Sequence, residues 1–332
     1  MTAPAFSMRA LPASAFSSAA VATVIGFGGT AALVVQAGQA LGADAGQIGS
    51  MVTALCLGIG APGAFLTWRL KIPVVLAWST PGAALLAAST LGLSWPTAIG
   101  AFVFAALLMI LTGLIPVLGR LAARIPAAIA SAMLAGVLLP FVLRLFKIVP
   151  DETALVVGLI AAFLIFRRLW PTWALPAVLA AAFAVLAMRG QLALPAGTGL
   201  FGHLEPVAPV FDWKAAICTG PDAHPDPARR WIVGVIYGGL YLVVALFAAP
   251  LAGLFIAMPT AVLAAVTGLA LIAPLTGALQ TMITEVGSRE AAVLTFAATA
   301  SGLTLFGVGS AFWGLVVGFA ALAAMRWIRP PA

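Results

Sequence analysis

The chain has 332 residues, 63% of them apolar and 8% charged, and its 16 Lys and Arg against 9 Asp and Glu leave a net charge of +7. Soluble domains carry about 25% charged residues, so this composition excludes a water-soluble globule and indicates an all-α polytopic protein solvated by the lipid bilayer. Nucleic acid is excluded as a partner: the basic residues stand in pairs between apolar runs, as topology determinants do, and form no patch interleaved with aromatics.

Charges and prolines divide the chain into candidate spans of about 20 residues. The first seven cover 14–40, 46–68, 73–92, 96–118, 126–143, 153–169 and 172–190. Arg9 precedes an uncharged run, Ala10–Ala43, that is too long for the core of a cleaved signal peptide, so an uncleaved first span is expected. Within it, Gly26-Phe27-Gly28-Gly29-Thr30 is either a close-packing face or a site in which Phe27 stacks on a ring beside Gly28 and Thr30. Gln36 and Gln39 are expected at its interfacial end. Cys56 reads as a small hydrophobe in an apolar run.

The third span contains Ser79-Thr80-Pro81-Gly82. Proline removes a backbone donor and glycine relaxes the helix, so the backbone can break there. A half-helix starting near Pro81 offers a positive dipole end to an anion, with Ser79 and Thr80 adding hydroxyls. The bland alternative is a proline kink among small packing residues.

Residues 191–230 hold nine charged or histidine side chains and six prolines, which rules out a simple spanning helix. Asp222-Ala-His224-Pro-Asp226 has no further metal ligand near it and reads as solvated loop, with Asp222, Asp226, Arg229 and Arg230 as a loop network. Four more spans follow at 231–256, 258–280, 289–306 and 310–328. All nine carboxylates fall at span ends or in loops, leaving no intramembrane proton relay, no metal or cofactor signature, and no converging set that would make an enzyme.

With the N-terminus in the cytoplasm, inside loops carry Arg9, Arg69, Lys71, Arg120, Arg124, Arg167 and Arg168, against Arg144, Lys147 and Arg189 outside. Working back from Arg326 and Arg329 puts the C-terminus inside as well, together with Arg229 and Arg230. Seven spans from an inside start finish outside, so an odd number of crossings is required between Arg189 and Arg230. A weak repeat points the same way. Ile125–Leu134 resembles Met258–Thr267, and Ser79–Gly82 has an echo in Cys218-Thr219-Gly220-Pro221, which makes Thr219 a further candidate site residue. The second half then lacks about three crossings. The organisation read from this is a first repeat of seven helices (1–190), a polar junction with the remnant of a broken helix (191–230), and four helices of a second repeat (231–332). An odd-numbered repeat is necessarily inverted, a common build of secondary transporters.

Three strings resemble the benzoate/proton symporter (BenE) family: Ala77-Trp78-Ser79-Thr80-Pro81-Gly82-Ala83-Ala84-Leu85-Leu86, Ile217–Trp231, and Thr299–Leu303 with Gly309–Gly314. The resemblance implies a uracil-permease-like, seven-plus-seven inverted-repeat fold in the bacterial inner membrane, with benzoate or a related aromatic carboxylate carried inward with protons. Family members have two further spans and the leading part of a third before the Ile217-Cys218-Thr219 string, so about 11–12 spans are expected here. The competing expectation is a truncated remnant that does not transport. A homo-oligomer is left open.

Overall fold

The computed structural model describes residues 13–72, 74–88, 94–117, 120, 125–191, 200–211 and 231–328. They are helical almost throughout. Among the described residues there is no named strand, only an isolated bridge between Leu305 and Val308. In chain order the helices are α1 (Ala13–Ala40), α2 (Ala45–Leu70), α3 (Thr80–Ala87), α4 (Trp95–Leu114), α5 (Ala127–Lys147), α6 (Thr153–Leu169), α7 (Ala174–Met188), α8 (Trp231–Leu246), α9 (Ala248–Ile256), α10 (Thr260–Thr284), α11 (Arg289–Ala300) and α12 (Ser310–Ile328).

Six of them are long and apolar enough to cross a membrane: α1, α2, α4, α5, α10, and α7 with its preceding turn. The α8–α9 pair adds a seventh if counted as one bent span. The outward display of apolar side chains is what lipid requires: Leu107, Leu108, Met109, Ile110 and Leu111 of α4 are all exposed. Four expected spans are built otherwise. Span 73–92 is interrupted, with 74–79 extended before the short α3. Span 231–256 bends by 67° at Phe247. Spans 289–306 and 310–328 form a helical hairpin: Thr299, near the end of α11, meets Gly136 in the middle of α5, and α12 returns past Gly314 and Gly318 toward Ile129 at the start of α5.

Local chemistry sets several element ends. Asp44 and Gln47 form a reciprocal capping box at the start of α2, with Gln47 N–H donating to Asp44 Oδ1 at 2.8 Å and Asp44 N–H donating to Gln47 Oε1 at 3.1 Å. At its other end, Lys71 in the left-handed region (φ 55°) terminates the helix.

Helices approach where both carry small residues, because lipid gives no hydrophobic drive for helices to associate and close packing must supply it. A Cβ on Gly60 of α2 would lie 2.8 Å from the Gly238 carbonyl of α8, and one on Gly238 would lie 2.7 Å from the Gly60 carbonyl, so the crossing requires both glycines. Ala249 packs on Gly49, which makes α8–α9 antiparallel to α2. Gly268 of α10 meets Leu145 and the Phe141 carbonyl of α5 in the same manner.

This pairing fixes relative sidedness. Segment 200–211 lies at the N-terminal end of α2 and the start of α4, whereas α8 begins beyond Gly238, toward the C-terminal end of α2. The described ends flanking 212–230 are thus at opposite ends of α2.

One expectation of a solvated polar residue needs correction. Gln36 is not interfacial: it is half-buried and its Nε2 donates to Thr267 Oγ1 of α10 at 2.5 Å, because a polar group inside the helical layer needs a partner there. Gln39 is exposed, as expected. Residues 200–211 are largely exposed but tied to the helices at several points. Glu205 N–H donates to Ser50 Oγ (2.8 Å), Val210 N–H donates to the Pro96 carbonyl (2.9 Å), and His203 lies against Gly49. The Asp222, His224, Asp226 and Arg229–Arg230 expectations lie outside the described residues.

Candidate functional site

Two backbone interruptions lie within this helical layer. At the first, extended residues 74–79 would leave amide groups unpaired in an apolar setting, at a cost of several kcal/mol each. Thr67 of α2 addresses the beginning of the stretch. Its fully buried hydroxyl donates to the Val74 carbonyl and accepts from the Val74 N–H, both at 3.0 Å. The far end is closed by Ser79, the N-cap of α3, whose Oγ accepts from Gly82 N–H at 3.1 Å. Ala83 and Ala84 then bury α3 in the core.

The half-helix expected near Pro81 is present, but its donors are fewer than a bare helix end would offer. Pro81 has no N–H, Gly82 N–H is held by Ser79, and Ala83 N–H donates to the Ser79 carbonyl. Thr80 N–H and its hydroxyl have no hydrogen-bond partner among the described residues. With the hydrogen of the Ser79 hydroxyl, they give a carboxylate three donors at the positive end of α3. Ser79 is exposed, while Thr80, Pro81 and Gly82 are half-buried.

Directly before this end, Trp78 turns into a cluster of rings. Its indole lies 5.6 Å from the Phe27 ring and 6.2 Å, edge to face, from Tyr241. Phe27 also meets Phe255 at 6.4 Å, Phe255 meets Phe183 at 5.9 Å, and Tyr237 meets Tyr241 at 4.8 Å. Rings at these separations prefer tilted and edge-to-face arrangements. Gly26 makes room for the phenols: a Cβ there would lie 2.9 Å from the Tyr241 hydroxyl oxygen and 3.6 Å from that of Tyr237.

The structure therefore places Phe27 against Trp78, the residue just before the Ser79–Gly82 turn. Gly28 faces Leu179 of α7, and Thr30 is buried in an α1 that continues unbroken past both. Thr219 lies outside the described residues. Tyr237, Tyr241, Phe183 and Phe255 were not singled out from sequence. The two tyrosines are the only ones in the chain and are spaced i, i+4, which puts them on one helix face, and that was the available signal.

The second interruption, between α8 and α9, follows from Pro250. Proline at that position cannot donate to the carbonyl four residues back, that of Leu246. Gly202 N–H takes the place of the missing donor at 2.6 Å. Only glycine fits there, because a Cβ at 202 would overlap the Ala245 carbonyl. A small cavity of about 200 Å³ lies beneath, lined by Thr53, Leu57, Gly202, His203, Leu204, Ala245 and Leu246, one helical turn from Tyr241 along α8. Among the described residues, no group of three or more His, Cys, Asp or Glu could hold a metal ion.

The family model described as benzoate membrane transport protein matches residues 9–216 and 212–324, as two stretches that meet inside the polar junction. The chain is 32% identical to the inner membrane protein YdcO of Escherichia coli K12 over 360 residues, covering 90% of this chain and 92% of that one. It is 28% identical to the benzoate membrane transport protein of Acinetobacter baylyi over 374 residues, covering 94% of each. Ninety per cent of 332 residues is about 299, so roughly sixty of the 360 matched positions have no counterpart here, and the second relative leaves a similar surplus. No solved structure matches the chain.

Proposed function

This chain belongs to the benzoate membrane transport family, and from that premise we propose that it carries benzoate, or a closely related aromatic carboxylate, across the bacterial inner membrane together with protons. The family consists of membrane transporters rather than enzymes. The observation that carries the substrate reading is the junction of Trp78 with Ser79 and Thr80. The rings of Phe27, Trp78 and Tyr241 form an apolar cradle, and the adjoining end of α3 supplies donors for a carboxylate. The anion is then held by a helix dipole and neutral donors, without a buried cation to desolvate.

The two broken helices are where the carrier moves in this reading. α3 packs on α1 and α8 packs on α2, so a shift of the α8–α9 bend against α3 opens or closes the ring cluster. Both termini are cytoplasmic, as the positive-inside count indicates. Protons enter with the substrate, since a protonated carboxyl crosses an apolar path at far lower cost than a carboxylate.

A second reading is favoured by one observation, the surplus of roughly sixty matched positions in both relatives. In that reading the chain inserts and binds the aromatic acid but does not complete the transport cycle. Labelled benzoate separates the two. Uptake in cells expressing the chain, abolished by a protonophore, supports the transporter. Saturable binding to the purified chain without uptake supports the non-transporting form. Absence of both, with the protein present in the membrane, rejects the substrate assignment.

A further inference from the structure

The α6–α7 hairpin treats its two ends differently. At one end Arg189 donates to Glu152 at 3.1 Å, which is the only ion pair among the described residues. At the other end Arg167 and Arg168, in the last turn of α6, have no carboxylate partner among the described residues. Arg167 lies 5.6 Å over the Phe163 ring. An open apolar groove of about 680 Å³ begins next to this pair, lined by Phe166, Trp170, Trp173, Pro176, Ala177 and Ala180. Trp170 and Trp173 are about half exposed.

We propose that this groove is a binding site for one anionic phospholipid, its acyl chain along Trp170, Trp173 and Ala177 and its phosphate on Arg167 and Arg168. Charge complementarity selects this occupant. Two guanidiniums without carboxylates sit where indole rings mark the headgroup level, and a phosphate diester matches the fork geometry of arginine. The positive-inside count puts this end on the cytoplasmic side, where basic residues at the surface attract anionic headgroups. A zwitterionic lipid fills the groove equally well but brings its own cation to the arginines. The site is separate from the ring cluster at Trp78, so it stands whether or not the chain transports benzoate.

The test is lipid retention. The purified full-length chain is equilibrated in micelles with equal phosphatidylglycerol and phosphatidylcholine, washed, and its retained lipid counted by mass spectrometry. Phosphatidylglycerol is expected to be retained preferentially. R167Q/R168Q lowers that retention about tenfold. The lysine pair R167K/R168K keeps most of it, and R144Q/K147Q, which alters an equally exposed basic pair at the opposite end, leaves it unchanged. Ala177→Trp fills the groove and lowers retention with both arginines intact, and its elution profile reports that the fold is preserved. The proposal is overturned if phosphatidylcholine is retained equally, if R167Q/R168Q has no effect, or if millimolar glycerol 3-phosphate displaces the lipid, which would make the site one for soluble phosphate. Cross-linking of Trp170→Cys to a second copy with no lipid retained would overturn it too, by showing the face to be a subunit contact.

Discussion

The two interruptions, at 74–79 and at Phe247, solve one problem by different means. Backbone that leaves the helix inside an apolar layer must find partners. At the first, the partner is a side chain: Thr67 holds both polar groups of Val74, and Ser79 caps the helix that follows. At the second, the partner is backbone from a distant segment, with Gly202 donating to the carbonyl that Pro250 leaves without a donor. Pro62, Pro140 and Pro274 sit inside α2, α5 and α10 without ending them. Proline therefore permits a break, and what becomes of the freed carbonyl depends on the surroundings.

The largest expected effect tests the second break. Gly202→Val drives a side chain into the Ala245 carbonyl and removes the cap on Leu246, and should cost about 3 kcal/mol. In a Pro250→Ala background the helix can bond its own carbonyl, so the same substitution should cost about 1 kcal/mol less, read as a double-mutant cycle of thermal unfolding in detergent. Strict additivity would deny that Gly202 serves as the surrogate donor. Next comes Thr67→Val, which keeps the volume but loses both bonds to Val74. It should cost about 1–2 kcal/mol and weaken benzoate binding, while Thr67→Ser retains most of both. Ser79→Ala should cost about 1 kcal/mol by loss of the N-cap, with a several-fold rise in the benzoate concentration needed for half-saturation. The smallest effect belongs to Pro140→Ala in unbroken α5, which should stay within about 1 kcal/mol of the parent and leave binding unaltered. A large loss there would mean that the prolines are not distinguished as the comparison requires.

Legibility from sequence follows the same division. The break at Ser79–Gly82 was readable because its cause is local: a hydroxyl cap, a proline and a glycine in four consecutive residues. The bend at Phe247 was not read, although Pro250 stood in plain view, because the donor that stabilises it lies 44 residues upstream. Residues 200–211 read as part of a polar junction from their charge and proline content, and that reading does not reveal that Gly202, Glu205 and Val210 each satisfy or use a backbone or hydroxyl group on a helix. Pairwise contacts of that kind leave no periodic trace. Phe27 was singled out for its flanking glycines, and its value comes from Trp78, Phe255 and Tyr241, which only the packing of α1 against α3, α8 and α9 brings near. Gln36 reads as interfacial for a related reason, since its partner Thr267 belongs to α10.

The most direct measurement compares equilibrium binding of benzoate and benzamide to the purified chain, in the parent and in Trp78→Leu. The two ligands share a ring and differ in charge. The account predicts that benzoate binds at least about tenfold more tightly than benzamide, since only the carboxylate engages the charged end of α3 and accepts from all its donors, and that Trp78→Leu weakens both. Equal affinity for the two ligands, or a Trp78→Leu variant that binds benzoate as the parent does, would contradict the placement of the site at this junction of helix end and rings.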